Sequence, residues 1–268
     1  LDNRDPVHRF LSYLLKGSSA RPDAARPWRV WDLDAELRYL PVVRALPESP
    51  LPICEVGSGP AGLAAWVGRD VIGVDPGPDA RHGIARLPPN LTRLEGDGAH
   101  LPLADRSAGA AVAVDTMEHI APAARRAVVD EMLRVTAPGG RVIIMGPTGP
   151  DAAAGDRFVH TRLCSLGVGD DVIGWLEEHF DNGLPTVEEL TVLLSHERVE
   201  RLTVRRYFNL RLWRVMHRAA MGDLPRMPRE HLIHHLLWAP FAAVARRLHR
   251  PPCYRCLVVA QLRAQPAR

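Results

Sequence analysis

The sequence predicts an α/β fold with a doubly wound, mostly parallel sheet, a closing antiparallel hairpin, N-terminal helices and a helical insertion. Three observations predict it. Between residues 51 and 146 short apolar runs alternate with helical segments, the pattern of strands joined by crossover helices. A glycine-rich turn, Gly57-Ser58-Gly59, directly follows the first run, as in Rossmann-like sheets that bind ligands at strand ends. Two longer β-type runs close the chain with helical sequence between them. Composition sets the outer bounds. A chain of 268 residues that is 46% hydrophobic and 24% charged is folded rather than disordered. Four cysteines do not make a disulfide framework, and 24 Pro and 21 Gly without a period exclude a collagen-like chain.

Residues 1–50 form an N-terminal helical segment in this reading. Pro6 to Lys16 sets Val7, Phe10, Leu11, Leu14 and Leu15 on one helical stripe, Arg21 to Pro27 is a Pro/Ala-rich loop, and a second helix runs from near Asp34 to Ala45. Pro47 to Pro52 separates this segment from the sheet. The strands are Ile53 to Val56, Val71 to Asp75, Leu91 to Leu94, Ala111 to Asp115 and Arg141 to Met145. All but the third are apolar on both faces, as strands covered on both sides must be. Pro122 to Val135 is a helix that starts on proline, carries Val128, Met132 and Val135 on one stripe, and stops at Pro138-Gly139-Gly140. Helices follow at 170–180 and 186–194, a strand at Val199 to Phe208, helices at 210–220 and 229–250, and a last strand at Cys253 to Leu262. One sheet-based domain therefore spans 51–208 and 253–262, with 209–252 as a helical cover inserted between the last two strands. The sequence shows no basic stretch leading into an apolar one and no run of about 18 apolar residues. Neither a secretory signal nor a transmembrane helix is expected, and a cytoplasmic location is.

The turn Gly57-Ser58-Gly59-Pro60-Ala61-Gly62 permits close backbone approach to a ligand. By itself it suits two ligand classes. A dinucleotide would set its pyrophosphate on the following helix N-terminus and an acid near Asp75 on a ribose. S-adenosylmethionine carries no phosphate but an ammonium, a sulfonium, a ribose diol and an adenine, so it favours several acids. The chain offers them at successive strand ends: Glu55 before the loop, Asp75 for both ribose hydroxyls, Asp97 for the adenine amino group and Asp115 near the methionine moiety. A single strand-end Asp is an ordinary turn cap. Glu55, Asp75 and Asp97 in register with the glycine loop favour a ligand, while Asp115 is balanced between cap and ligand.

Residues 51–147 resemble a class I S-adenosylmethionine-dependent methyltransferase, of the large group that includes ubiquinone/menaquinone and many small-molecule methyltransferases. The resemblance rests on Glu55-Val56-Gly57-Ser58-Gly59, Gly73-Val74-Asp75, Gly96-Asp97-Gly98-Ala99-His100-Leu101-Pro102-Leu103 and Pro138-Gly139-Gly140-Arg141-Val142. It implies S-adenosyl-L-methionine as cofactor, Glu55 supporting the glycine loop, Asp75 holding ribose and Asp97 holding adenine. The expected cofactor contacts are thus Glu55, Gly57, Ser58, Gly59, Asp75, Asp97, Gly98 and Asp115. A hydroxyl nucleophile benefits from a base titrating near neutrality. Two histidines are candidates for it: His119, at the expected methyl-donor side, and His160, beyond the fifth strand. Surface or loop positions are the plainer reading of both. The fourth strand lacks the Asn/Asp-Pro-Pro-aromatic ending of many exocyclic-nitrogen methyltransferases, and no Pro-Cys follows it, which weakens nucleobase acceptors.

Residues 201–250 hold eleven Arg, one Asp and one Glu, a charge of +9 against a total of +3. The plain reading is packed helices with a solvated arginine face. The alternatives are a pocket for an anionic or lipid-linked acceptor and peripheral contact with an anionic membrane. Small-molecule or lipid-linked acceptors methylated at oxygen or carbon come first in this reading. An RNA methyltransferase using the basic block on phosphates comes second, since aromatic residues are only 6% and stacking platforms are correspondingly few, and a non-catalytic partner subunit comes third, since Glu55, Asp75 and Asp97 are all present. No metal is expected: His231, His234 and His235 share a helical face without further ligands, and Cys253-x-x-Cys256 has no second pair.

Overall fold

The computed structural model describes residues 33–59, 61–77, 87–165, 167, 170–220, 244 and 247–264. The expected helix at Pro6 to Lys16, most of the helical stretch 229–250 and the histidines 231, 234 and 235 lie outside the described residues.

Helix α1 (Leu33–Ala45) precedes β1 (Ile53–Val56), β2 (Val71–Asp75), β3 (Leu91–Glu95) and β4 (Ala108–Val114). Then come α2 (Pro122–Val135), β5 (Thr136–Pro147), α3 (Gly149–Ser165), α4 (Asp170–Asn182), α5 (Val187–Leu193), β6 (Val199–Asn209), α6 (Leu210–Ala220) and β7 (Cys253–Leu262). The seven strands form one sheet in the order β3-β2-β1-β4-β5-β7-β6. β1 to β5 are parallel, and β7 lies antiparallel between β5 and β6. This is the expected doubly wound sheet with its closing hairpin.

The period of two along each strand divides the core into two layers. Ile53, Val112, Val114, Ile143 and Met145 pack with residues of α1, α3, α4 and α6. Their neighbours Cys54, Ala111, Ala113, Val142 and Ile144 pack with α2 and α5. Small residues in β4, all buried, let helices approach the central strands on both faces. α2 starts on Pro122 and buries Val128, Met132 and Val135 as expected. It also ends at Val135 as expected, but β5 starts earlier than the expected Arg141. The helix gives way to β5 at Thr136, and Pro138-Gly139-Gly140 lies inside that strand. Gly140 is needed there because a Cβ would stand 2.6 Å from the carbonyl oxygen of Gly109 on the neighbouring strand. Arg125 of α2, buried to 2% exposure, donates to both carboxylate oxygens of Glu189 at 3.0 and 3.1 Å and to the carbonyls of Asn182 and Gly183. It thereby fixes the α4–α5 turn that carries α4 across the strand ends.

β6 and β7 are joined by residues 210–252, whose two ends meet. Asn209 donates from Nδ2 to the carbonyl of Arg250 at 2.8 Å, and Leu210 N donates to the carbonyl of Pro252 at 2.8 Å. Among the described residues no helix is long and apolar enough to cross a membrane.

Candidate active site

The sheet order reverses between β1 and β4, so the chain leaves their C-terminal ends in opposite directions and opens a crevice there, where ligands bind in such sheets. Thr116 closes its floor by donating from Oγ1 to the carbonyl of Val56 at 3.0 Å. Gly57, at φ +70°, lies over Thr116; a Cβ at 57 would come within 2.6 Å of its side chain. The loop above is clamped from two sides. Buried Glu55 accepts a hydrogen bond from Leu63 N at 2.7 Å. Asp75 accepts from Gly59 N through Oδ2 and from Gly77 N through Oδ1, each at 2.9 Å. Gly59 has φ +53° and, among the described residues, no atom within 4 Å of where a Cβ would be, so none of them covers the loop backbone there.

Ser58 is 4% exposed and its hydroxyl packs onto β2, where a Cβ on Gly73 would be 2.5 Å away. Its side chain thus seats the loop, leaving only its backbone to face a ligand. Asp97 turns the chain after β3, accepting from Ala99 N at 2.9 Å, with its side chain 71% exposed. Gly98 lies on the end of β1, where a Cβ would be 2.8 Å from Val56 Cγ1.

Asp115, at φ +49°, is not a helix cap. Its carboxylate pairs with Arg38 of α1 at 3.2 Å and with Arg255 of β7. Beside it runs a buried polar cluster. The 3₁₀ turn Met117–His119 sets Glu118 inside, at 1% exposure. Burial first, and then the Asp115 charge, push its carboxyl well above the ordinary range. His119 is exposed and its Nδ1 is 2.6 Å from Glu178 Oε2 on α4. His179, one residue on and 4% exposed, has Nδ1 3.0 Å from Asp156 Oδ2 on α3. Asp156 Oδ1 accepts from the Tyr254 hydroxyl at 2.5 Å. Burial and the Asp156 charge raise the pKa of that hydroxyl, so it stays a donor.

His160 stands in a helix rather than a loop. Its ring meets Phe180 edge-on at 5.3 Å and lies 3.8 Å from Cys164 Sγ. Cys253 and Cys256 are free, and burial raises both thiols. The cluster contains residues that sequence reasoning did not select: Arg38, Glu118, Asp156, His179, Tyr254 and Arg255. The one local signal was the Glu118-His119 pair beside Asp115; the rest meet only through the fold.

The residues present suit a cationic ligand at the loop. Glu55 Oε1 is buried and receives no hydrogen bond among the described residues. Burial, opposed by the Leu63 N–H and reinforced by the Asp75 charge, pushes its carboxyl from the ordinary 4.5 up to about 8. A buried acceptor without a donor beside bare loop backbone fits an ammonium-bearing ligand better than a pyrophosphate.

Comparison with known proteins agrees. Residues 54–144 match a family described as a methyltransferase domain. An uncharacterized methyltransferase of Mycolicibacterium vanbaalenii is 36% identical over 109 residues, 37% of this chain and 42% of its own length. One from Mycobacteroides abscessus is 36% identical over 110 residues, 36% of this chain and 42% of its own. The chain thus spans about two-fifths of the length of the curated relatives it matches. Among solved structures, geranyl diphosphate C-methyltransferase from Streptomyces coelicolor aligns with a TM-score of 0.51 and 16% identity, over 85% of this chain and 76% of that one. Phosphoethanolamine N-methyltransferase 2 of Haemonchus contortus aligns with a TM-score of 0.54 and 14% identity, over 99% and 60%. At these identities the likeness concerns the fold.

Proposed function

We propose that this chain, whose residues 54–144 form a class I methyltransferase domain, moves a methyl group from S-adenosylmethionine to an oxygen or carbon of a small-molecule or lipid-linked acceptor. One observation carries the reading: the bare loop Gly57 to Gly59 is held between Glu55 and Asp75 at the switch point of the sheet, next to a buried polar cluster. The loop backbone lines the methionine moiety in this reading. Glu55, on giving up its proton, accepts from the ammonium group, while Asp115 is engaged by Arg38 and Arg255 at the side of the crevice. Asp75 uses its remaining lone pairs on the ribose hydroxyls, and Asp97, beside Gly98, meets the adenine amino group.

The cofactor supplies an activated methyl group, so the chain has only to align the nucleophile and exclude water. The acceptor lone pair attacks the methyl carbon in line, and the C–S bonding pair returns to sulfur. For a hydroxyl acceptor His119 is the proposed base. Its exposed ring has Nδ1 held against Glu178, which leaves Nε2 to take the proton. His160 has Cys164 and Phe180 as neighbours rather than a carboxylate to orient it, and is the weaker choice. Arg201, Arg205 and Arg206 are exposed along β6 and would favour an anionic acceptor. Of the segment 209–252, Leu210 and Trp213 belong to the core, and residues 221–243 lie outside the described residues.

Calorimetry with S-adenosylmethionine and with NAD tests the cofactor reading. Binding of the first alone is expected; binding of NAD alone would overturn it. Replacing residues 221–243 by a short linker should then spare cofactor binding and abolish methylation of the acceptor. Retained methylation would refute the cover.

A further inference from the structure

We infer that Glu118, His119 and His179 form a divalent transition-metal site beside the proposed methyl-donor crevice. One donor atom from each of the three side chains lies within 4.8 Å of the others. In a site with bonds of about 2.0–2.2 Å the ligand atoms stand roughly 3–4 Å apart, so the cluster closes by small side-chain rotations.

Two further observations point to a ligand between these groups. Glu118 Oε2 and His179 Nε2 are both buried and have no hydrogen-bond partner among the described residues. Leaving two such atoms unsatisfied in one place is costly, and a cation shared by both removes the cost. Each imidazole also has its other nitrogen against a carboxylate, His179 Nδ1 on Asp156 and His119 Nδ1 on Glu178. A carboxylate at Nδ1 fixes the tautomer that leaves Nε2 as an acceptor and makes it more basic, which is how proteins prepare histidine for a metal. Asp156 is itself fixed by the Tyr254 hydroxyl, and Trp175 packs edge-on against the His179 ring. Asp156 and Glu178 stand beside the cluster as the carboxylates that orient its imidazoles, while Arg255 and Arg38 are both engaged with Asp115.

Two imidazoles and one carboxylate suit zinc, iron(II), cobalt(II) or manganese(II) better than calcium or magnesium. Three protein ligands, one of them exposed, leave coordination positions open on the solvent side. The site's role rests on the methyltransferase reading; its existence does not. In that role the cation takes an acceptor hydroxyl oxygen, the hydroxyl proton passes to solvent, and the oxygen lone pair then attacks the methyl carbon while the C–S electrons return to sulfur. With the metal bound, the Nε2 of His119 is a ligand, and the lowered pKa of the bound hydroxyl takes the place of a side-chain base.

Cobalt(II) chloride is the probe. The full chain is incubated with it and dialysed, then bound metal is counted by mass spectrometry and its d–d absorption recorded. About one equivalent per chain is expected, with the intense bands of a four- or five-coordinate site. Glu118→Gln, close in shape, and His119→Ala, at an exposed position, should each weaken cobalt binding at least about tenfold, with circular dichroism confirming that both fold. His100→Ala, at a side chain 88% exposed on another turn, should not. No cobalt retained, or equal affinity in Glu118→Gln and His119→Ala, overturns the site. Cofactor affinity measured by calorimetry on the same samples separates the two ideas. Cobalt binding without S-adenosylmethionine binding leaves the site standing and removes the methyltransferase role.

Discussion

The Tyr254 hydroxyl on β7 donates to Asp156 on α3 at 2.5 Å, and the other oxygen of that carboxylate lies 3.0 Å from His179 on α4. One buried carboxylate thus ties the antiparallel strand to the two helices that flank the crevice. The ring of Tyr254 stacks on Trp213 of α6 with centroids 4.0 Å apart, so α6 is held to the same point. Tyr254→Phe keeps the stack and opens no cavity, but leaves Asp156 Oδ1 without its donor. A stability loss of about 1–2 kcal/mol is expected, measured by urea denaturation, together with a lower methyl-transfer rate. Unchanged stability would show that water replaces the hydroxyl.

Asp75 has two tasks that substitution separates. Asp75→Ala removes the acceptor for Gly59 N and Gly77 N as well as the proposed ribose contact, and should weaken S-adenosylmethionine binding by about 1.5–3 kcal/mol. Asp75→Asn keeps one carbonyl oxygen and should fall between. Calorimetry on folded variants reads both, and a folded Asp75→Ala protein of unchanged affinity would leave Asp75 as a loop clamp.

Gly57 and Gly59 share a left-handed backbone but differ in surroundings. At Gly59 a methyl group meets no atom of the described residues, so Gly59→Ala should cost only about 1–2 kcal/mol of stability from the backbone while obstructing the cofactor. Gly57→Ala drives a methyl group into Thr116 and should destabilise more. Thermal melts and cofactor titrations of the pair should therefore rank in opposite order to one another for stability and for the affinity lost per unit of stability.

Glu55 makes stability depend on pH. The unfolded chain loses this proton near the ordinary 4.5, whereas the folded chain holds it to about 8. Its contribution is fully present below the lower value and is lost as pH rises through the upper one. Stability should fall by on the order of 3–5 kcal/mol across that window, and Glu55→Gln should flatten the slope. A cationic cofactor reverses the preference for the neutral form, so binding near pH 7 should release protons, visible as a dependence of binding heat on buffer ionisation enthalpy.

What could be read in the sequence was what lies close along the chain. Period-two apolar runs marked the strands, and β7 spans the expected Cys253 to Leu262. The glycine loop and its acids were visible because Glu55, Gly57 and Gly59 fall within five residues at a strand end. The helix α2 ended at Val135 as expected, but the start of β5 was placed at Arg141 rather than Thr136, because Pro138-Gly139-Gly140 reads as a break while its use is a close approach between β4 and β5 that only pairing creates.

The polar cluster was settled by tertiary structure alone. Asp115 and Arg255 are 140 residues apart, Asp156 and Tyr254 98. They meet because β7 inserts antiparallel beside β5 and sets Arg255 opposite Pro147, at the strand end where Asp115 emerges. Local spacing encodes which face of an element a side chain occupies. It carries no record of which distant element will cover that face, and that choice depends on burying the apolar surface of the whole sheet at once. The sequence therefore determined the sheet, the loop and the acids beside it, and the order of the strands decided which carboxylates, histidines and arginines would share one buried space.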